Sequence, residues 1–489
     1  MNMDKKQIYE KQGLRSCFFG DASGNFKMGG SLEKGQWEMK KINDIETMNT
    51  NKHIFIMSLP IFVELLLQLL VGNVDQMMVS RISQNSVASI VNANQIINLL
   101  IILLSMTATA ITILLSRDLG AKDEENSFRT CMVSFLLTIV ISLLATALVF
   151  WGYESLFEAI HVPEEIFEET ARYLLIVGGF ILVQGLYLAI SAMLRAFALM
   201  KEVMIVSVIM NLINIIGNVI LINGWFGIPQ LGAIGAAIST DISKLIGLIL
   251  MIILLKKKTG IRLSLSYLNP FPGKILKDLC MLAIPSGIES FSYNLSQVVI
   301  LGIINSFGTL ATITKGYCYI LANVDYVYSL ALATATQIIL GYLIGARMIP
   351  QIEKRVNASA KAVVAISVGI ATLLFLARDY VFLLFTDHPE IIALGGQILL
   401  IEIFLEFGRA LNIIMVKCLI AVGEVITPTV LGIASQWCVS LAGAWLLGSY
   451  LGWGLPGVWI AMAIDECLRG VIFTIQFKRG KWKRHFQPG

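Results

Sequence analysis

Charge is what this sequence has least of. Asp, Glu, Lys and Arg together make up 14% of its 489 residues, where soluble domains carry about a quarter. Hydrophobic residues make up 56%, and the mean hydropathy is +0.76. That balance excludes an ordinary soluble domain and points to a polytopic membrane protein. Cysteine and histidine are also sparse. The seven cysteines stand singly, mostly in apolar runs, with no Cys-x-x-Cys, so neither a disulfide framework nor a metal site follows from them. His53, His161, His388 and His485 are too far apart to form a ligand spacing. Also missing are a Walker A loop, a His-Glu-x-x-His pair and a nucleophile elbow. No enzyme class is therefore indicated. Without a nucleotide site, uphill transport would have to draw on an ion gradient or a partner ATPase.

No secretory signal opens the chain. Residues 1–50 are polar, contain glycine and lack periodicity, so they read as a flexible cytoplasmic tail. Met39 and Met48 both stand where a natural start would lead straight into the first apolar run.

What is present is a series of long apolar segments. A bilayer core needs about 20 apolar residues per helix. Twelve segments qualify, near 54–79, 90–116, 130–152, 172–195, 203–223, 231–255, 278–304, 312–344, 360–385, 391–418, 426–450 and 455–477. The eighth is the most polar, with Lys315, Asn323 and Asp325. The expected fold class is an all-α polytopic membrane protein of twelve transmembrane helices.

Loop charges orient these spans. Cations cluster after the even-numbered ones: Arg117, Lys122 and Arg129; Arg195 and Lys201; Lys256, Lys257 and Lys258; Arg347, Lys354 and Arg355; Lys417; and the basic tail 479–489. The other loops hold only Arg81, Arg172 and Arg378, and the third is acidic, with Glu154, Glu158, Glu164 and Glu165. The positive-inside rule places both termini in the cytoplasm.

The chain also repeats itself. Pro60-x-x-x-Glu64 returns as Pro285-x-x-x-Glu289, and Leu119-Gly120-Ala121-Lys122 returns as Ile344-Gly345-Ala346-Arg347, both at an offset of 225 residues. Pro163-Glu164 returns as Pro389-Glu390 at 226, and Gly232-x-x-Gly235 as Gly454-x-x-Gly457 at 222. Four matches in order at a nearly constant offset indicate duplication. Six spans per repeat is an even number, so the two six-helix lobes are parallel repeats about a central cavity. The reading is an N-lobe at 51–256, a cytoplasmic linker at 257–276 and a C-lobe at 277–478.

Ionisable groups inside such spans are costly, by roughly 2.5–3.5 kcal/mol or more each, and are functional candidates. In "PIFVELLLQLLVGNVD", Glu64, Gln68 and Asp75 share one helical face. Asn211, Asn214 and Asn218 share a face of the fifth span, and Ser239, Thr240 and Asp241 on the sixth are placed to close the same cluster. In the second half, Glu402, Glu406, Arg409 and Asn412 form a stripe, Glu289 and Tyr293 share a face, and Asp465 and Glu466 both reach Arg469. Each has two readings. A carboxylate in low dielectric is suited to bind a proton or Na⁺ and switch a lobe. It equally fits a neutralised structural ion pair, the expectation for Glu406–Arg409, and asparagines serve as interhelical glue. Lys315 is placed to neutralise Glu289 or Asp325, or to snorkel. Pro60 and Pro285 are read as first-turn prolines, and Gly72 and Gly302 as sites of close packing.

These residues resemble the multidrug and toxic compound extrusion (MATE) family, in its bacterial branch. The resemblance runs over about residues 52–484 and rests on Pro60 with "GNVDQMMVS", on "LLSRDLGAK", on "NIIGNVILINGWFGIPQLGAIGAAIST", and on "LEFGRALNI" and "DECLRG". It implies a two-lobed secondary antiporter of the cell membrane, acting as a monomer, that expels small amphipathic organic cations in exchange for H⁺ or Na⁺. It implies no other cofactor and no nucleic-acid partner. By motif position, Asp75, Asn214 and Asn218 match the amino-lobe cation site; Glu64, on the same stripe as Asp75, is placed to assist by attracting cationic substrates. Any Na⁺ would sit at Asp75. A further family position falls near Ala236, which has no side-chain oxygen. The family's carboxyl-lobe acid falls at Tyr293, and the acid here is Glu289 instead. The substrate or second-lobe cluster then comprises Glu289, Tyr293, Asp325, Glu402, Glu406 and Arg409. The rival reading within transport is a flippase for a lipid-linked precursor, which calls for a more cationic cavity to hold pyrophosphate. Outside that class stands a channel, which needs no duplicated lobes.

Overall fold

The computed structural model describes residues 45–80, 83–227, 229–261 and 263–486, leaving aside the side chains of 73–76, 159 and 485. Twelve helical spans run in chain order: α1 Asn51–Ser80, α2 Gln84–Gly120, α3 Glu124–Ala159, α4 in two pieces (Glu164–Gly179 and Ile181–Ala196), α5 Met200–Asn223, α6 Gly232–Thr259, α7 Gly273–Asn305, α8 Thr309–Gly345, α9 Ile349–Leu376, α10 Pro389–Ala421, α11 Ile426–Tyr450 and α12 Gly454–Lys478. Ten are long and apolar enough to cross a bilayer, and the two pieces of α4 together make an eleventh. The twelfth, α12, is 25 residues long and carries Asp465, Glu466 and Arg469. Helices are the form such runs must take, because lipid offers backbone groups no partner outside the segment.

Several local expectations are corrected. The fourth span bends by 44° at Phe180, between its two pieces. The ninth begins at Ile349, earlier than position 360, and a separate short helix Arg378–Leu383 follows it. Pro60 and Pro285 lie inside α1 and α7, not in their first turns. The helices begin earlier than the apolar runs because their polar first turns project beyond the bilayer core. Gly72 and Gly302 have open space where a Cβ would stand, so neither is a packing contact. The N-terminal tail lies outside the described residues up to position 44. Ile45–Met48 is a short helix, and Met48 is buried. The basic tail forms a helical turn, Lys481–Phe486, which buries Trp482 under Phe477. Lys483 there pairs with Glu353 at 2.7 Å.

Three cores organise the packing. One core takes residues from both halves, among them Ile61, Leu115, Ile190, Val203, Ala331, Leu340, Ile352 and Ile414. Two further cores belong to one half each. The first joins Ile90, Leu100, Val149, Leu174 and Ala236, and the second joins Ile300, Ile398, Leu405, Val458 and Trp459. The shared core includes the ends of α2, α8 and α10, and the halves also touch further along, where Gly287 of α7 packs on Met106 of α2.

At the closed end the repeats meet through backbone. A Cβ on Gly120 would lie 2.7 Å from Tyr342 Cα, and one on Gly345 2.8 Å from the Gly120 carbonyl carbon. Only glycine allows α2 and α8 to approach this closely. Arg117 donates to the Ala421 carbonyl at 2.5 Å, and Tyr342 Oη to the Ala196 carbonyl at 2.6 Å. Arg355 on α9 clamps the segment before α1. It donates from Nε to Asn49 Oδ1 at 2.7 Å, from Nη1 to Asn51 Oδ1 at 2.8 Å and from Nη2 to the Asn49 carbonyl at 2.7 Å.

Candidate functional site

A cavity of about 540 Å³ lies within the carboxyl lobe, closed on one side by α2, in the range of drug-sized ligand sites, roughly 300–1,000 Å³. Its wall is built mainly by α7, α8, α10, α11 and α12, with one face of α2 opposite. Glu289, Tyr293, Glu402 and Arg409 line it; Asp325 and Glu406 do not. Glu64, Asn214 and Asn218 are also not on this wall. The candidates therefore divide between the cavity and two places in the amino lobe.

In the carboxyl lobe the carboxylates outnumber the arginines, and donors claim them. Arg409 pairs with Glu406 one turn away and with Glu402 at 3.1 Å. Trp459 donates its Nε1–H to the other Glu402 oxygen at 2.6 Å. Arg469 donates to Asp465 and to Glu466, both at 2.8 Å, and Asn412 donates to the second Glu466 oxygen at 2.8 Å. Ser435 donates to Asp465. The α10–α12 contact that permits this network passes over Gly408, where a Cβ would stand 2.8 Å from Cys467 Cα. Glu289 accepts from Gln436 at 3.0 Å. Gln436 opens a stretch of wider, π-type turns in α11, an irregularity frequent at functional sites.

The cations are not all paired. Lys315 makes no ion pair with Glu289 or Asp325 among the described residues, and its ammonium stands 4.8 Å from the Tyr319 ring centroid. Asp325 is buried on α8, away from the cavity wall and beside Ser367 of α9.

In the amino lobe Glu64 is buried and pairs with Arg195 of α4 at 2.6 Å. A carboxylate held this way is a structural ion pair, not an exposed lure for cations. Asn214 donates to Thr240 Oγ1 at 3.1 Å and accepts from Asn218 at 3.4 Å, and Ser239 donates to the Asn214 carbonyl at 2.8 Å. The expected fifth-to-sixth span cluster thus exists, around α5 and α6. Asp241 beside it is buried, with no hydrogen-bond partner to either oxygen among the described residues. The Asp75 side chain lies outside the described residues. Ala236 is packed in the core.

Sequence reasoning missed Trp459 and Gln436, which carry no charge to draw attention. It counted Arg195 and Lys417 as loop cations, whereas both lie on helices. Their positions inside the last turns of α4 and α10 were the available signal.

The family model described as MatE matches residues 60–220 and 285–446, one match per lobe. The chain belongs to the MatE family. Among its relatives is an uncharacterized transporter, YisQ, of Bacillus subtilis, 33% identical over 88% of this chain and 94% of that one. A probable multidrug resistance protein NorM of Thermotoga maritima is 22% identical over 90% of this chain and 94% of its own length. A crystal structure of a MATE in the bent conformation superposes with a TM-score of 0.83 at 19% identity, covering 93% of this chain and 99% of that one. The match places the chain in a family of transporters, and its two matched segments repeat the 225-residue offset read from Pro60 and Pro285.

Proposed function

We propose that this chain is a multidrug efflux transporter that exports amphipathic organic compounds, cations among them, in exchange for H⁺ or Na⁺. The observation that carries the reading is a drug-sized cavity in the carboxyl lobe, faced by α2 of the amino lobe, beside a core that both lobes share. That geometry suits a carrier that opens to one side at a time. The NorM relatives' name supports efflux as the direction. The cation-rich loops gather at the closed end, so by the positive-inside rule that end is cytoplasmic and the cavity opens outward.

Coupling is assigned to the amino lobe, to Asp75 with Asn214 and Asn218. The support is chemical: neutral oxygens of Asn214, Thr240 and Ser239 converge on α5 and α6, and a carboxylate on the neighbouring face would complete an oxygen-only set for H⁺ or Na⁺. Binding would remove the cost of the buried charge and bias the lobe between two shapes. A lipid-linked-precursor flippase is less favoured, because the relatives that the chain resembles include proteins named for multidrug resistance.

The test is uptake of a fluorescent lipophilic cation into proteoliposomes under a Na⁺ gradient or a pH gradient imposed separately, with wild type and Asp75→Asn side by side. Uptake driven by one gradient and lost in the variant is expected. Full driven uptake by Asp75→Asn would move the coupling site elsewhere.

A further inference from the structure

Lys417 is the cavity's unexplained group. It lies on α10, four residues before Ala421, whose carbonyl accepts from Arg117 at the closed end. It lines the cavity, so it belongs to the floor. Its backbone is fixed, because the buried Gln337 of α8 donates to its carbonyl at 3.1 Å. Among the described residues its ammonium has no hydrogen bond and no carboxylate within 4.0 Å.

Most of the neighbouring carboxylates are already paired, and Glu289, on the same wall, forms no ion pair with Lys417 within 4.0 Å. Glu402, Glu406, Asp465 and Glu466 are held by Arg409 and Arg469, and Glu64 is held by Arg195. Glu289 takes its hydrogen bond from the neutral Gln436. In the empty cavity water can solvate the Lys417 ammonium. A solute seated on the floor displaces that water and must replace it. A purely cationic solute replaces it with repulsion. A solute bearing a carboxylate or another anionic group replaces it with a charge-assisted hydrogen bond, the stronger kind.

Building on the efflux reading above, we propose that Lys417 is the recognition site for an anionic group, so that the preferred substrates are amphiphiles bearing a carboxylate or a similar anion. Lys315, half-buried on the early turns of α8 near the open end, offers such solutes a second cation on the way in. The paired arginines contribute no free charge to this recognition.

A matched pair of dyes tests it: rhodamine B, which carries a free carboxylate, and its ethyl ester, which keeps the cation and loses the anion. Binding to the purified full-length protein is read by fluorescence anisotropy for wild type, Lys417→Met and Lys417→Arg. Export of both dyes from cells is read in parallel. Wild type should bind rhodamine B several-fold more tightly than the ester. Lys417→Met should weaken rhodamine B on the order of tenfold and leave the ester unchanged or tighter, and Lys417→Arg should restore most of the loss. Equal affinities for the two dyes in wild type, with the ester exported, would overturn the proposal and leave the efflux reading standing. So would rhodamine B binding that is indifferent to Lys417→Met. Loss of both dyes in Lys417→Met would overturn it as well, marking Lys417 as a residue of the fold. Export of neither dye by wild type would remove the efflux reading, and the proposal with it.

Discussion

Arg195 on α4 donates to Glu64 on α1 at 2.6 Å, and the carboxylate is almost entirely buried. The pair joins the first span to the fourth inside the amino lobe, near the end where the lobes fuse. Breaking one half of such a pair strands a charge in low dielectric, at about 3–5 kcal/mol, whereas replacing both halves is far milder. Arg195→Met should therefore lower the melting temperature in detergent sharply, and Glu64→Gln with Arg195→Met together should recover most of it. A double variant as unstable as the single one would show that the two side chains act independently.

Arg355 spends three of its donors on Asn49 and Asn51, and Asn49 donates in turn to Gln351 at 2.8 Å. The segment before the amino-lobe helix α1 is thus fastened to the carboxyl-lobe helix α9. Opening the closed end would have to release it. Arg355→Ala should loosen that end by about 1–3 kcal/mol, the cost of leaving such groups unsatisfied. The readout is labelling of Cys418, fully buried in the shared core, by a polar maleimide in a background that keeps only that cysteine. Faster labelling is expected. An unchanged rate would mean that the clamp does not hold the closed end.

Much of this architecture was legible from residue order alone. The apolar run lengths gave the twelve spans, and the matched Gly120 and Gly345 turned out to be the contact where the two repeats touch. Periodicity also grouped Glu402, Glu406 and Arg409 correctly, because i, i+3 and i, i+4 spacing operates within one helix. Partners on different helices were not legible. Nothing in the spacing of Glu64 foretells Arg195, 131 positions away, or links Glu402 to Trp459. Helix ends misled for a related reason. Hydropathy marks where the bilayer core stops, while α9 begins at Ile349, well before its apolar run at 360.

Asp241 presents the reverse of the Glu64 case. It is buried on α6, beside Thr240 and Ser239, and neither oxygen is hydrogen-bonded by a described residue. A charge in that position opposes the fold unless it has work to do. Asp241→Asn should keep the melting temperature or raise it, while reducing ion-driven uptake in proteoliposomes. A marked fall in stability would identify Asp241 as a structural anchor, and undiminished uptake would remove it from the coupling cluster.

Trp459 tests how far the cavity's charge balance is set by neutral donors. Its Nε1–H satisfies one Glu402 oxygen at 2.6 Å while Arg409 serves the other. Trp459→Phe keeps an aromatic ring on the wall and deletes only the donor. A hydrogen bond to a charged group is worth about 1.5–3 kcal/mol, so the melting temperature should fall by a few degrees. Glu402 and Trp459 both line the cavity, so the change leaves a buried carboxylate oxygen beside it without its donor. It then becomes available to a bound cation. The cationic rhodamine ester should bind Trp459→Phe several-fold more tightly than wild type, and the carboxylate-bearing dye should gain much less. If both dyes weaken together, the indole contributes mainly packing surface. In that event Glu402 would be fully neutralised by Arg409, and the selectivity of the cavity would depend on Lys417 alone.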